Sequence, residues 1–205
     1  MLIRGYRPDD QDALYAVSLA TGDAGGDAAA LYRDCKLIGH IYVGPYVALL
    51  PELVLVAEDV DGVAGYVLGA ADTRAFEARQ EVEWWPALRA AYPDPLATPP
   101  EQRTADQQRC HRIHHPLRMS EDLLREYPSH LHINLLPRQQ GRGVGRELVG
   151  RWLRLAADRG STGVHLGVNA VNERAMGFYR ALGFREIRVP VPGAPLAVWY
   201  AIRLT

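Results

Sequence analysis

The sequence predicts an α+β fold of three layers, in which helices flank a central mixed, mostly antiparallel sheet. Three observations support this class. The chain has 205 residues, of which 48% are hydrophobic and 23% charged, as in a protein with one buried core. Two apolar, β-branched runs in the first half form a hairpin. After Pro128, stretches with strand and helix patterns alternate.

The first half carries the strand signals of an antiparallel meander. Residues 2–6 alternate between two faces, a helix is predicted over residues 8–19, and a second helix ends near Lys36. Residues 53–58 and 63–70 are the two apolar runs, and Asp59-Val60-Asp61-Gly62 joins them. An Asp-Gly pair between two such runs is typical of a tight β-hairpin.

The segment 73–128 has a different character. It contains Trp84-Trp85-Pro86, a proline-rich loop over residues 93–100, and polar helical stretches around Cys110 and Glu121. We interpret it as a mostly helical insertion within a single domain of residues 1–205. The paired tryptophans are more typical of core packing than of a ligand platform.

The last third of the chain alternates strands and helices. Strands are predicted over residues 130–136, 164–168, 184–189 and 196–204, and helices over residues 144–159 and 173–182. Together with the hairpin, these elements give one sheet flanked by helices.

A glycine-rich turn follows the first of these strands. The chain leaves the strand at Pro137 and enters a helix through QGRGVG, residues 140–145. Alternating glycines at a strand-to-helix turn let backbone N–H groups converge without a Cβ in the way, and the helix N-terminus adds partial positive charge. Such a turn can hold a pyrophosphate, or it can be only a tight connection. Its spacing matches neither the dinucleotide-binding pattern nor the P-loop.

A second motif follows the next strand. Residues 172–184 read NERAMGFYRALGF, which is a polar cap, a helix, a terminating glycine and the start of a strand. The patterns Q-x-x-G-x-G and N-x-x-A-x-x-x-Y-x-x-x-G-F, in this order of elements, closely resemble the GNAT acyltransferase superfamily. The resemblance covers nearly the whole chain except residues 73–128. It implies the GNAT fold and acetyl-CoA as cofactor.

A narrower resemblance explains the insertion. Residues 61–69, the Trp85-Pro86 segment and Tyr127-Pro128-Ser129 look like the C-terminal acetyltransferase-like domain of O-GlcNAcase. That domain is generally regarded as a pseudo-enzyme without the glycine loop, whereas this chain keeps the loop. An arginine-rich composition with Lys36 as the single lysine is typical of a GC-rich bacterial genome, so we expect a bacterial stand-alone form.

The resemblance implies an acetyl-CoA-dependent N-acetyltransferase in which an amine attacks directly within a ternary complex. The alternative is a CoA-binding pseudo-acetyltransferase that serves as an interaction module. In the enzyme, Tyr179 is the expected general acid that protonates the leaving thiolate. The expected CoA-binding residues are Leu135, Leu136, Gln140, Gly141, Arg142, Gly143, Val144, Gly145, Arg146, Asn172 and Tyr179.

The general base and the acceptor site carry weaker signals. Better-known family members often have a Glu on the strand before the loop, but neither face of that strand carries an acid here. His132 could accept the proton, directly or through a water, or it could be a structural histidine; Asn134 could orient a water or the acceptor. Tyr42 and Tyr46 lie where GNAT proteins usually build the acceptor side. A small-molecule or peptide amine fits, including a histone tail, an aminoglycoside, a polyamine or an amino sugar.

The formal net charge of −1 argues against a generic binder of nucleic acid or of membrane surfaces. The charge is distributed unevenly along the chain: residues 129–188 have a net charge of +6, and the remaining residues have a net charge of −7. The basic share coincides with the proposed CoA half. The acidic share includes the proposed acceptor side, which would suit a cationic amine.

Cysteine and histidine usage completes the sequence-based expectations. Cys35 and Cys110 could form one disulfide but not a disulfide framework. No apolar run has the length of a membrane span, so we expect a cytoplasmic protein. His111 and His114 lie one helical turn apart, but zinc needs three or four ligands, and we expect no metal. A homodimer is compatible with the sequence.

Overall fold

The computed structural model describes residues 1–189 and 196–204. Its strands are β1 (Leu2–Gly5), β2 (Leu55–Asp59), β3 (Gly62–Ala70), β4 (Ser129–Leu135), β5 (Gly163–Asn169), β6 (Arg185–Ile187) and β7 (Ala197–Arg203). They form one sheet in the order β1-β2-β3-β4-β5-β7-β6. The β4–β5 pair is parallel and the other neighbours are antiparallel, so the predicted mixed, mostly antiparallel sheet is confirmed.

The helices cover both faces of this sheet. They are α1 (Gln11–Ala20), α2 (Leu37–Tyr42), α3 (Gly44–Leu49), α4 (Thr73–Glu83), α5 (Trp85–Ala91), α6 (Ala105–His114), α7 (Glu121–Glu126), α8 (Val144–Ala157) and α9 (Glu173–Ala181). Alternate residues of β3 separate two cores. Val67 packs with α8 and α9 on one face, and Tyr66 and Leu68 pack with α1 and α3 on the other. None of the helices among the described residues has the length and apolarity to cross a membrane.

The predicted hairpin is present between β2 and β3. Asp59 pairs with Gly62 at its end, and Gly62 takes a φ of 97° that favours glycine. The Asp59 carboxylate accepts the Asp61 N–H at 3.0 Å, which stabilises the turn.

The prediction of a helix that ends near Lys36 is wrong. Residues 29–31 form a single 3-10 turn, and helix α2 begins only at Leu37. Side chains satisfy the backbone between them: the Asp34 carboxylate accepts the Lys36 N–H, and Asp106 accepts the N–H groups of Arg33 and Asp34. Such side-chain hydrogen bonds offer the backbone an alternative to a helix.

The segment 73–128 is mostly helical, as predicted, and consists of α4 to α7 with their connections. Trp85 is 3% exposed and packs with Leu37, Ile41 and Ile113 between the segment and α2. The indole N–H of Trp84 donates to the His40 carbonyl at 2.9 Å. The tryptophans therefore join the segment to the rest of the chain by packing. That residues 1–205 form one domain with this segment as an insertion stays a prediction.

Strands β4 and β5 separate soon after they meet. They pair only at Ser129–Val164 and His130–His165, although β4 continues along β3 to Leu135. On its other edge, β5 pairs with β7 along its whole length, from Gly163 to Asn169. A gap therefore opens in the middle of the sheet beyond His130.

Candidate active site

A cavity of about 690 Å³ lies at this gap. Asn172, the N-cap of α9, and Tyr179 of α9 line one part of it, and Arg109 and Arg112 of α6 line another. His132 on β4 also lines the cavity. The cavity thus brings the predicted cofactor residues of α9 together with helices from the first half of the chain and from the segment 73–128.

The glycine loop reaches α8 through two left-handed residues. Gly141 has a φ of 72°, and Gly143, the N-cap of α8, has a φ of 80°. The first helical hydrogen bond of α8 runs from the Glu147 N–H to the Gly143 carbonyl at 3.1 Å. The N–H groups of residues 141–146 have no acceptor among the described residues. They are therefore available to an anion at the positive end of the helix.

At the end of β4, the Leu136 N–H donates to the Ala64 carbonyl at 2.8 Å, so this one backbone group is engaged within the sheet. That Leu135 and Leu136 offer backbone groups to the cofactor stays a prediction. Backbone groups alternate sides along an antiparallel ladder, so Ile133 and Leu135 point theirs toward the gap. The Leu135 carbonyl accepts the Gln140 side-chain amide at 2.6 Å, which fixes the loop to the strand end.

Three arginines near the loop differ in their exposure and in their interaction partners. Arg142 is exposed and has no ion-pair partner among the described residues. Arg146 is also exposed and donates to the Ala181 carbonyl at 3.4 Å. Arg138 is paired with Asp59 at 2.9 Å, which neutralises its charge. Arg142 is thus the cation of this group best placed to meet an anion.

Helix α9 presents Asn172 and Tyr179 to the cavity. The Asn172 side chain accepts the Ala175 N–H at 3.0 Å and caps the helix. Tyr179 is 7% exposed, and its ring lies 5.6 Å from that of Phe184. Its hydroxyl has no hydrogen-bond partner among the described residues, and burial raises its pKa. The hydroxyl is therefore protonated at neutral pH.

His132 belongs to a chain of hydrogen bonds along the cavity wall. Its Nε2 lies 3.1 Å from the Tyr46 hydroxyl, which lies 2.7 Å from His130 Nε2. His130 Nδ1 in turn lies 2.8 Å from the Thr73 hydroxyl. Tyr46 has one hydroxyl proton, so one imidazole accepts that proton and the other donates its own. A proton can therefore shift from one end of the chain to the other.

Desolvation keeps these imidazoles neutral. Burial lowers the pKa of His132 to about 4 and that of His130 well below its ordinary value, with further lowering from neighbouring histidines. At neutral pH both rings can accept a proton. Their basicity is weaker than that of an exposed histidine.

The other predicted acceptor residues are held by hydrogen bonds. The Asn134 amide donates to the Thr21 hydroxyl at 2.6 Å, at the end of α1. Tyr46 is buried, and its hydroxyl is engaged by the two histidines. The Tyr42 hydroxyl accepts from Arg109 at 3.0 Å, and its ring lies 5.8 Å from that of His132. Tyr42 thus connects α6 to the catalytic candidate on β4.

Sequence reasoning missed the residues that the segment 73–128 contributes. Arg109, Arg112 and Glu77 are the charged side chains that line the cavity in the described part of the chain. The spacing of Arg109 and Arg112 on a predicted helix places them on one face, which was the available signal. It did not show that this face turns toward β4.

The sequence places His111 and His114 one helical turn apart, but in the structure these two histidines contact different partners. His114 Nε2 contacts the Tyr92 carbonyl at 2.7 Å, whereas His111 and His115 converge on Asp94, at 3.2 and 2.6 Å. Asp94, His111 and His115 bring three potential metal-ligating atoms within 4.8 Å of one another. The described Cys35 and Cys110 are both free thiols.

Relatives of this chain share its fold over almost its full length. SsHAT, a solved structure, is 38% identical, covers 98% of this chain and 97% of its own, and superimposes with a TM-score of 0.87. The structure of yncA from Salmonella typhimurium with its cofactor acetyl-CoA is 18% identical, with a TM-score of 0.57 and coverage of 100% and 94%. It shows likeness of fold alone.

Curated relatives extend the comparison. Protein O-GlcNAcase of Rattus norvegicus and of Mus musculus is 25% identical over 187 residues, which is 90% of this chain. The chain spans only 20% of the length of these relatives. The family model of the acetyltransferase (GNAT) family matches residues 43–184. This chain therefore belongs to the acetyltransferase (GNAT) family, whose acyl donor is acetyl-CoA.

Proposed function

We propose that the chain is an N-acetyltransferase that transfers acetyl from acetyl-CoA to an amine by direct attack in a ternary complex. One observation carries the proposal. The glycine loop, with its unpaired N–H groups, follows the end of β4, and earlier residues of β4 line a cavity that holds a neutral histidine and a protonated tyrosine. A donor with a pyrophosphate and an amine acceptor can approach each other there.

The residues present fit CoA. The N–H groups of residues 141–146 and the Arg142 guanidinium bind the pyrophosphate, and Arg146 lies beside them. Asn172 would contact the pantetheine arm. When bound, acetyl-CoA would supply an acetyl thioester, whose carbonyl carbon would form a bond to the acceptor nitrogen as the carbon–sulfur bond breaks. The Leu135 N–H, which points into the gap, would donate to the carbonyl oxygen.

His132 is the proposed base. A protonated alkylamine has a pKa near 10, so a proton must leave it before attack. His132 Nδ1 has no hydrogen-bond partner among the described residues and accepts this proton. Its Nε2 proton can then pass through Tyr46 to His130 and on toward Thr73. This relay compensates for the low basicity that burial imposes on His132.

Tyr179 is the proposed acid. Its phenol protonates the sulfur as the thiolate leaves, so that the products are the N-acetylated acceptor and the CoA thiol. The absence of a hydrogen-bond partner among the described residues leaves this hydroxyl free to turn toward the sulfur.

Binding and turnover test the proposal separately. Calorimetry should show acetyl-CoA binding with a Kd below about 1 mM, that is, a binding free energy stronger than about −4 kcal/mol. Thiol release across a panel of amines should exceed the rate without protein. Binding without turnover on any amine would favour a CoA-binding interaction module. No binding would contradict both the enzyme and the interaction module.

Mass spectrometry tests direct attack. Protein incubated with acetyl-CoA in the absence of an acceptor should keep its mass, because no protein group takes the acetyl in a ternary-complex mechanism. A rapidly formed acetylated protein that is discharged on addition of an amine would contradict direct attack.

A further inference from the structure

The charged groups of the cavity point to the chemistry of the acceptor. Of the cavity-lining charges in the described residues, Glu77 is already paired: Arg74 donates to its carboxylate, which also accepts the Met119 N–H at 3.1 Å. Arg109 therefore stands out among these charges, because it forms no ion pair with a carboxylate of the described residues. Its positive charge contrasts with the net negative charge of the chain outside residues 129–188.

Arg109 is held in place without an anionic partner. Its Nε donates to the Tyr32 hydroxyl at 2.9 Å and its Nη1 to the Tyr42 hydroxyl at 3.0 Å. No carboxylate among the described residues lies within 4.0 Å of it. Its guanidinium carbon lies 6.0 and 5.5 Å from the two tyrosine ring centroids. A positioned cation that is shielded from water and lacks a counter-ion favours an anionic ligand.

The donors that Arg109 leaves open match a carboxylate. The tyrosines use one N–H on Nε and one on Nη1, so Nη2 and the second Nη1 proton have no partner among the described residues. These N–H groups lie in one plane and can bind both oxygens of a carboxylate. The tyrosine hydroxyls fix the plane in advance, so less side-chain entropy is lost on binding.

Arg109 also lies within a small molecule's reach of the proposed base. Its guanidinium carbon is 5.5 Å from the Tyr42 ring centroid, which is 5.8 Å from the His132 ring centroid. The guanidinium and the imidazole are separated by no more than the sum of these distances. A molecule whose carboxylate binds Arg109 can therefore present an amine, a few bonds away, to His132.

We propose that Arg109 is the anion-binding group of the acceptor subsite and that the acceptor is an amine which carries a carboxylate, namely an amino acid or a close analogue. The proposal rests on the proposed N-acetyltransferase function and specifies its substrate class. It adds an anionic group to the cationic amine that regional charge led us to expect.

Matched acceptors test the substrate class. The probes are the common L-amino acids and β-alanine, each compared with its carboxamide, with O-phosphoethanolamine as a phosphate-bearing amine. We expect at least one amino acid to exceed its amide by about tenfold or more in kcat/KM, as for a charge-assisted hydrogen-bonded pair. Equal use of acids and amides, or preference for the phosphate-bearing amine over every amino acid, would overturn the proposal.

Variants connect the preference to Arg109. Arg109→Met should remove the acid-over-amide preference by raising KM for the acid, while Arg109→Lys keeps the charge and retains part of it. Both should leave the calorimetric Kd for acetyl-CoA unchanged. Arg125→Met, which removes a surface arginine paired with Asp122, is the matched control and should retain the full preference. An unchanged preference in Arg109→Met would contradict the assignment.

A binding measurement separates this proposal from the function on which it rests. 3-Phenylpropionate and its amide lack an amine and cannot be acetylated. The carboxylate should raise the Tm of the wild-type protein and of Arg125→Met more than the amide does, and it should lose this advantage in Arg109→Met. If acetyl-CoA fails to bind, the proposed function fails, but this shift still decides the anion site. Equal shifts with acid and amide would overturn it.

Discussion

At the scale of single residues, burial sets the proton-transfer properties of the site in opposite directions. Desolvation disfavours the charged form of any group, so it keeps the Tyr179 phenol protonated and the His132 imidazole neutral. One residue is thus prepared to give a proton and the other to accept one at the same pH. Tyr46 supports the second role, because its hydroxyl connects His132 to His130.

Replacing the phenol of Tyr179 tests its role as acid. We expect Tyr179→Phe to lower kcat by about 10²- to 10⁴-fold, the usual contribution of a positioned acid, with little change in the Kd for acetyl-CoA. Tyr200→Phe is the matched control, since Tyr200 lies in the same cluster with its ring 6.3 Å from that of Tyr179. Steady-state thiol release measures both. Full turnover in Tyr179→Phe would remove this residue as the acid.

The pH profile tests the state of His132. Its pKa of about 4 means that its protonation reduces kcat/KM only near pH 4, not near the 6.5 of an exposed histidine. Between pH 5.5 and 8, we therefore expect the ionisation of the amine alone to shape the profile. His132→Gln should lower kcat/KM by about 10²-fold or more across this range. A wild-type limb near 6.5 that disappears in His132→Gln would show that the ring is solvated.

At the scale of elements, helix α8 depends on how its first turn begins. The left-handed Gly143 ends the loop and leaves the N–H groups of the first turn unpaired. Gly145 serves a different purpose, since a Cβ there would lie 3.1 Å from the Phe178 ring. Two glycines of one motif thus act separately, one in backbone conformation and one in the packing of α8 against α9.

Two glycine-to-alanine substitutions, one at the N-cap of α8 and one within the helix, distinguish the effect of a left-handed backbone from the effect of an added methyl group. Gly143→Ala meets no atom within 4 Å but is strained at a φ of 80°, so it should cost about 1–2 kcal/mol of stability and weaken acetyl-CoA binding. Gly150→Ala lies within the helix, with Arg154 at 3.8 Å, and should add about 0.5–1 kcal/mol without changing binding. Urea unfolding and calorimetry measure both. Equal effects of the two changes would contradict this account.

At the scale of the whole molecule, the buried histidines make stability depend on pH. His165 is 1% exposed, and burial lowers its pKa to about 4. The unfolded chain binds a proton near pH 6.5 that the folded chain does not bind until about pH 4. The free energy of unfolding therefore falls as pH drops through this window, by about 1.4 kcal/mol per pH unit for each such histidine.

Urea unfolding at pH 7.5, 6 and 5 measures this dependence. In His165→Gln, the slope of unfolding free energy against pH should decrease by about one proton's contribution in the window from pH 6.5 to 4. The lost hydrogen bond from His165 to the Tyr127 carbonyl affects the absolute stability at every pH, so the slope is the relevant measurement. An unchanged slope would show that His165 is not the source.

Local signals explain what could be predicted from the sequence. The Asp61-Gly62 turn, the glycine loop and the Asn172 cap all depend on residues within a few positions of one another, and the structure contains each of them. The helix expected before Lys36 failed because Asp106, 72 residues from Asp34, satisfies the backbone there. Sequence patterns do not report partners at that separation.

The sequence by itself determined the sheet and the glycine loop, which follow from periodicity and turn chemistry, and its two closely spaced motifs were enough to indicate the family. Only the tertiary structure placed Arg109 on Tyr42, 67 residues away, and Tyr46 between His130 and His132. It also showed that the Leu136 N–H donates to the Ala64 carbonyl. The physical reason is that hydrogen bonds and desolvation depend on which groups the folded chain brings together.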